Sequence, residues 1–412
     1  MSIRVYTGEF LTSPVPLHLD MNWCSHGCFY CFANLNQPNR RLDASFLRPM
    51  VKALSTNGND DEPAVYWLAR RGYPILASNT VDPLARSNCE QFKEIHDALS
   101  DVGCRFTYQT KGGDHEAAEK ALSDKPTMFY VSLTSDNDKR LKEQEPGAPP
   151  HRARLEFMAE AKRRGHHVVA GVNPMVPEWW MDTDKLIDDL LAIGVRHMWL
   201  QPIHLSRHQV SAMPANHRKR FAKWIEYAMK KIPPDALTIG AFMRDARNAG
   251  IQIFGDDDSP LAFWDSYFEL GFPFWPTLTG WFNHLVQVGG GLPVIFSLDD
   301  FASWCDVGLP AGKAWYKEFV NPFGRTIRNK IAKGETWRKA HECPRSLREA
   351  LAVIWRWYDY PTVMRSGKIC AAMQGEDIML DDNGEVVMVF VPEDHEHELF
   401  DITACRTVRY PR

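Results

Sequence analysis

The 412-residue chain lacks any apolar run fit to cross a bilayer. Its long uncharged stretch, Leu270 to Leu298, is interrupted by Pro273, Pro276, Asn283 and Gly289-Gly290-Gly291, which would break a membrane helix. The opening residues Met1-Ser2-Ile3-Arg4 lead into no signal-peptide core. A cytoplasmic location without membrane contact is therefore expected. An excess of one charge sign is also missing, since 48 Lys and Arg face 52 Asp and Glu for a formal net charge of -4. That excludes a blanket cationic coat for nucleic acid and leaves only local patches. Low-complexity segments and internal repeats are absent, and 44% hydrophobic with 24% charged residues is a globular composition. Regular cysteine pairing is lacking as well. Nine cysteines, an odd number, fit a reducing compartment and not a secreted disulfide scaffold.

Three of the nine cysteines are not scattered. Cys24, Cys28 and Cys31 lie between Asn22 and Ala33 with the spacing C-x3-C-x2-C. Closely spaced thiolates hold iron–sulfur clusters, and three of them leave one iron of a four-iron cluster without a protein ligand. That open position suits chelation by the amino and carboxylate groups of S-adenosylmethionine, so that a cofactor would carry the hard chemistry. Structural zinc is the competing reading, with His26 as fourth ligand. His26 sits inside the loop, however, and no second paired-ligand knuckle follows. Cys89, Cys104, Cys305, Cys343, Cys370 and Cys405 form no C-x-x-C pair and read as buried free thiols.

A chain of this length holds two domains or one large α/β domain with an extension. From residue 15 to about residue 210, short apolar runs alternate with polar helical stretches, the sign of repeated βα units and a parallel sheet. Strands are expected at Pro16–Met21, Tyr73–Ser78, Arg105–Thr110, Thr127–Thr134, His167–Val172 and His197–Pro202, with helices at Cys89–Ser100, Arg152–Arg164 and Thr183–Ile193. Sites in such folds gather at the carboxyl ends of the strands, and the cysteine loop sits at one. Beyond about residue 215 the pattern turns helical, over Asn216–Lys231, Gly312–Lys333 and Arg345–Tyr358, around an aromatic, Pro/Gly-rich segment from Phe263 to Trp304. The tail carries a β-hairpin pattern, Asp377–Leu380 and Glu385–Val391 about the turn Asp381-Asp382-Asn383-Gly384. Two parts are expected, 1–215 with the cysteine loop and 216–412 as a mainly helical extension over the barrel, with a role in substrate binding.

The motif N-x-C-x-H-G-C-x-Y-C-x-A resembles the signature of the radical S-adenosylmethionine (SAM) superfamily, and more narrowly its spore photoproduct lyase-like branch. The resemblance implies an α/β fold, a partial (βα)6 barrel, with a 4Fe–4S cluster on Cys24, Cys28 and Cys31. Tyr30 is the aromatic expected before the third cysteine. Pro74 to Pro83 is similar to the branch's second-strand segment, which implies that Ser78, Asn79 and Thr80 meet the amino group of S-adenosylmethionine. Gln109-Thr110-Lys111 resembles the third-strand T-K, whose lysine reaches the cofactor carboxylate. Tyr130-Val131-Ser132-Leu133-Thr134 matches the fourth-strand pattern, with Ser132 on the ribose. Glu145-Pro146-Gly147-Ala148-Pro149 and the subsequent Arg152 resemble a stretch of the same branch, and Asn173-Pro174-Met175 the segment that packs against adenine.

In photoproduct lyase itself a protein cysteine near the second strand returns hydrogen to the product radical. Here no cysteine occurs between Ile75 and Pro83. The expected reaction therefore shifts from lesion repair to modification or isomerisation of a thymine-derived nucleotide in DNA, as in phage-encoded relatives that rearrange an amino-acid-bearing thymidine. A reducing partner such as flavodoxin or ferredoxin is implied, and a phage protein would work in the host cytoplasm. Thymine photoproduct repair, radical chemistry on a peptide or small metabolite, and a nucleic-acid-binding protein with structural metal remain as alternatives. Basic groups at Lys162-Arg163-Arg164, Arg218-Lys219-Arg220 and Arg325 with Arg328 and Lys330 suit phosphates or an ordinary helix surface alike. Trp264, Trp275, Trp281 and Trp304 suit base stacking or core packing. Asp394-His395-Glu396-His397-Glu398 could bind a metal but reads as a solvated face or an adventitious site.

Overall fold

Short runs rich in β-branched and aromatic residues line up as one sheet in sequence order: β1 (Ser2–Val5), β2 (Leu17–Asp20), β3 (Ile75–Ala77), β4 (Phe106–Thr110), β5 (Met128–Leu133), β6 (His167–Met175), β7 (His197–Pro202) and β8 (Gln252–Phe254). This is a computed structural model, describing residues 2–5, 15, 17–21, 23–31, 44–58, 63–77, 81–203, 205, 207–230, 236–254, 269–273, 278–307, 362–364, 367–374, 377–384, 387–392 and 406–407. β1 pairs antiparallel with β2. Every later neighbour is parallel.

Parallel neighbours need crossover chain, and helices supply it. α1 (Leu47–Leu54) and α2 (Ala64–Arg70) precede β3, α3 (Cys89–Ser100) precedes β4, and α4 (Glu116–Leu122) precedes β5. α5 (Asp138–Gln144) and α6 (His151–Arg163) lead to β6, and α7 (Thr183–Ala192) to β7. α8 (Arg207–Ala212), α9 (Ala215–Arg220), α10 (Ala222–Lys230) and α11 (Ala236–Asn248) fill the long connection to β8. Local chemistry sets the starts. The Asn137 side chain accepts from the backbone N–H groups of Lys139 and Arg140 at α5, and Asp182 accepts from that of Lys185 at α7. On α3, Phe92, Ile95 and Leu99 fall on one face and are buried.

The core lies between the sheet and these helices. Along β5, Phe129, Val131 and Leu133 are buried against Phe157, Met158 and Ala161 of α6, while Tyr130 and Ser132 alternate onto the other face and are half-buried. Tyr108 and Phe129 stack with ring centroids 4.5 Å apart, in a row that also takes in Phe106 and His96. The side of the sheet away from α6 is thus the one with half-exposed polar residues.

The six expected strands all form, and β6 runs on to Met175. The sheet gains one strand at each edge, β1 and β8, neither foreseen because each is a short run without the flanking alternation that marked the others. β8 lies past residue 215, so the sheet draws on chain assigned to the extension. The expected helix Asn216–Lys231 is broken at Phe221 into α9 and α10. Beyond β8 the described residues hold helices Leu278–Gly289 and Leu298–Val307 and a second sheet. In that sheet β9 (Val294–Phe296), β10 (Thr362–Met364), β11 (Gly367–Ala371), β14 (Met388–Pro392) and β15 (Arg406–Thr407) are ordered β10-β11-β14-β9-β15. The turn Asp381–Gly384 forms, with Gly384 N–H donating to the Asp381 carbonyl. The small strands β12 (Met373–Gln374) and β13 (Asp377–Ile378) pair with each other just before it. Residues 312–333, 345–358 and 394–398 lie outside the described residues, as do Trp264, Trp275 and the basic group at 325–330.

Candidate cofactor site

The cysteine loop, residues 23–31, follows β2 at the carboxyl edge of the sheet. Three separate segments hold its shape. Ser25 N–H donates to Ser87 Oγ at 3.0 Å, Ser87 N–H returns a bond to Ser25 Oγ at 3.2 Å, and Ser87 Oγ donates to the Trp23 carbonyl. The turn after α5 forms the second wall: Phe29 N–H donates to the Gln144 carbonyl at 3.1 Å and Gly147 N–H to the His26 carbonyl at 3.0 Å. The approach there is so close that a Cβ on Gly147 would lie 2.0 Å from the Ser25 carbonyl oxygen. Only glycine fits.

Asp82 is the third. Its carboxylate faces His26 Nε2 at 2.9 Å and accepts from Thr110 Oγ1 and the Lys111 N–H, both at 2.7 Å, and from the Leu84 N–H at 2.9 Å. His26 Nδ1 lies 3.1 Å from the Gly147 carbonyl. One buried histidine thus ties the loop to the ends of β3 and β4 and to the turn at Gly147. Burial works to raise the Asp82 carboxyl, but the hydrogen bonds and charge from His26 and the donors of Lys111 and Thr110 hold it below its ordinary value.

Beside the loop lies a buried ionic cluster. Glu145 accepts from Lys111 Nζ at 3.0 Å, from Thr134 Oγ1 at 2.7 Å, from Arg154 Nη2 and from the Tyr30 hydroxyl. Lys111 Nζ also donates to Ser132 Oγ at 2.9 Å, and Arg154 to the carbonyls of Ser132 and Pro149. Burial alone would raise the Glu145 carboxyl, yet the Arg154 and Lys111 cations drive it well below the usual carboxylate range.

The expected residues Tyr30, Lys111 and Ser132 are therefore brought together, around a carboxylate that carried no expected role. Arg154, not Arg152, is the arginine joined to Glu145. Arg152 is exposed and pairs with Glu156 one helical turn on. Asn173 bonds none of these; on the sheet face away from α6 its side chain donates to Gln201 at 3.0 Å and bonds Tyr130. The Tyr130 ring lies across Gly171, where a Cβ would fall 2.1 Å from its Cζ. Met175 is buried at the end of β6. Ser78, Asn79 and Thr80 lie outside the described residues. Sequence reading picked out the segments that hold Asp82, Glu145 and Gly147 but gave these residues no role, and it missed Arg154. Two signals were available: an aspartate fixed before proline at a strand end, and a glutamate opening a Pro/Gly turn that is followed by a helix rich in arginine.

The loop's chemistry fits a cluster. Cys24, Cys28 and Cys31 form no disulfide, Cys24 being buried and the other two half-buried. Burial, then the Asp82 charge, pushes the Cys24 thiol up to about 12, and burial and Glu145 raise Cys28. Such thiols ionise only when a metal takes the place of the proton. Among the described residues no three His, Cys, Asp or Glu side chains converge on a single ion. A cubane is held at its corners and does not ask its ligands to converge. The buried Trp179 indole N–H and Gln144 side-chain carbonyl, next to the loop, have no hydrogen-bond partner and offer polar contacts to a group bound there.

Four comparisons bear on the chain. Residues 19–190 match the model of the radical SAM superfamily. An uncharacterised protein, ORF301, of Acidianus two-tailed virus is 26% identical over 195 residues, 44% of this chain and 64% of the viral protein, so the chain spans less than two thirds of that relative. Streptococcus suis SuiB bound to S-adenosylmethionine aligns with TM-score 0.36 and 10% identity over 58% of this chain and 49% of SuiB. A mutant spore photoproduct lyase with bound AdoMet and dinucleoside spore photoproduct aligns with TM-score 0.42 and 14% identity, over 58% of this chain and 76% of the lyase. Among the described residues no helix is long and apolar enough to cross a membrane. Residues 19–190, which include the cysteine loop at the end of the first parallel strand, are thus similar to the radical SAM superfamily, whose members use a 4Fe–4S cluster and S-adenosylmethionine.

Proposed function

We propose that the chain is a radical SAM enzyme acting on a thymine-derived nucleotide in DNA, and that its reaction modifies or isomerises the base. The match of residues 19–190 to the superfamily supports an enzyme. The cluster with S-adenosylmethionine supplies, when bound, a 5′-deoxyadenosyl radical able to take hydrogen from an unactivated carbon. In this reading Cys24, Cys28 and Cys31 are the cluster ligands, and Tyr30, Ser78, Asn79, Thr80, Lys111, Ser132, Asn173 and Met175 form the cofactor contacts. Residues 1–215 make the barrel apart from its last strand, and the rest of 216–412 covers it and takes part in holding substrate. The role of the chain's own residues is placement and exclusion of water.

The substrate class is supported by one observation, the polar side chains of Tyr130 on β5 and Gln201 on β7, which flank the cofactor contact Asn173 and bond to it. A hydroxyl and a carboxamide there offer both donors and acceptors, which suits the imide edge of thymine, an N–H flanked by two carbonyls. The lack of cysteine from Ile75 to Pro83 favours a reaction in which hydrogen returns from 5′-deoxyadenosine. The test is incubation with DNA deuterated at thymine-type carbons and a search for label in 5′-deoxyadenosine. Transfer is expected with the parent and none with a variant carrying Ala at positions 24, 28 and 31. No transfer from any thymine-type substrate would remove this reading.

A further inference from the structure

We propose that the basic face of α9 and the first turn of α10 is the docking surface for an acidic one-electron donor protein of the flavodoxin class. The inference rests on the radical SAM reading of the site, because a cluster that initiates radical chemistry must take an electron from outside.

Between Pro214 and Lys223 the chain carries His217, Arg218, Lys219, Arg220 and Lys223 and no acidic residue, against a net charge of -4 for the whole. Arg218, Lys219, Arg220 and Lys223 are exposed. Glu143 lies 3.8 Å from Arg220, Glu178 pairs with Lys223 at 2.7 Å and Glu226 is exposed on α10, so these acids offset part of the charge and Arg218 and Lys219 carry the rest. Arg218 donates to the Ser211 carbonyl, which leaves its charge uncancelled.

Phe221 gives this patch a direction. It follows Arg220 directly, is buried, and stacks on Phe29 with centroids 3.8 Å apart and planes 10° from parallel. Phe29 is the residue after Cys28. From the cationic surface to the cysteine loop the path is therefore one pair of stacked rings. Electron transfer rates fall steeply with distance, so a short path matters to an electron donor. Nucleic-acid phosphates would be drawn by the same charge but have no use for a route inward. The transfer would move one electron from the reduced flavin of the donor to the cluster that Cys24, Cys28 and Cys31 would hold, with no covalent bond formed.

The experiment uses anaerobically reconstituted protein mixed in stopped flow with flavodoxin hydroquinone at low salt, following the bleaching of cluster absorbance. A variant with Arg218→Glu, Lys219→Glu and Arg220→Glu should be reduced by flavodoxin roughly 10- to 1,000-fold more slowly, the span over which electrostatic steering acts. Dithionite, which needs no docking, should reduce it at the parent rate. Calorimetric binding of oxidised flavodoxin to the apoprotein should weaken in parallel. The corresponding Gln variant should fall between the two, and it carries the same readings if the Glu variant does not fold. Unchanged flavodoxin kinetics would overturn the proposal, as would equal slowing with dithionite. Loss of DNA binding with intact flavodoxin reduction would assign the patch to nucleic acid instead. A parent that accepts no electron from either reductant would sink the radical SAM reading itself.

Discussion

Replacing Glu145 by Gln removes one charge from a group that water does not reach. The Glu145 side chain is fully buried, Arg154 is 1% exposed and Lys111 11% exposed. The substitution strands two cations around a carboxamide, and breaking a buried ion pair from one side costs about 3–5 kcal/mol. Each kcal/mol moves Tm by roughly 2–4 °C in a unit of 150–250 residues, so the apoprotein should melt roughly 6–20 °C lower. Circular dichroism of the metal-free protein under anaerobic conditions reads this without a contribution from cluster binding. The pH dependence has a definite sign. The folded carboxyl is depressed below its ordinary value of 4.5, so its contribution is complete above that value and is lost as pH falls toward the depressed one. The gap between parent and variant should be widest near neutrality and close in acid. Adding Lys111→Met returns the group to its original net charge and should recover part of the loss, a coupling that independent sites would not display. A Glu145→Gln protein that melts with the parent at neutral pH, or a gap that widens in acid, would refute the argument.

Gly147→Ala places a methyl group against the Ser25 carbonyl oxygen, backbone against backbone. The loop must shift, so iron and sulfide after reconstitution should fall well below the parent while far-ultraviolet circular dichroism stays the same. Gly171→Ala drives the Tyr130 ring out of its place across β6. Binding of thymine-type DNA should weaken while reductant-driven cleavage of S-adenosylmethionine without substrate persists. Loss of both would show that Tyr130 serves the cofactor and not the substrate.

The strands were legible because each sits in a sheet covered by helices, where apolar runs and helical periodicity repeat cleanly. His197–Pro202 and Cys89–Ser100 form with the expected bounds. β8 was hidden because three residues give no period to read. Within the site, the cysteines announced themselves by spacing alone. Glu145 and Arg154 could not, since a buried ion pair depends on which side chains the fold turns inward. Arg152 and Arg154 look alike in sequence, and the phase of α6 puts one in water and the other on Glu145. Lys111 was identified by position, but its partner came from 34 residues further along the chain.

The three cysteines span eight residues, yet the bonds that shape their loop reach across 56, 62 and 121 positions to Asp82, Ser87 and Gly147. A peptide cut from this region would keep every thiol and lose the loop's form. During synthesis the thiols emerge first, Asp82 and Ser87 follow the third strand, and Gly147, the last residue that fixes their arrangement, arrives only after the fifth. Metal loading is accordingly a late event for this chain, one that follows assembly of more than half of the sheet and reports on its completion.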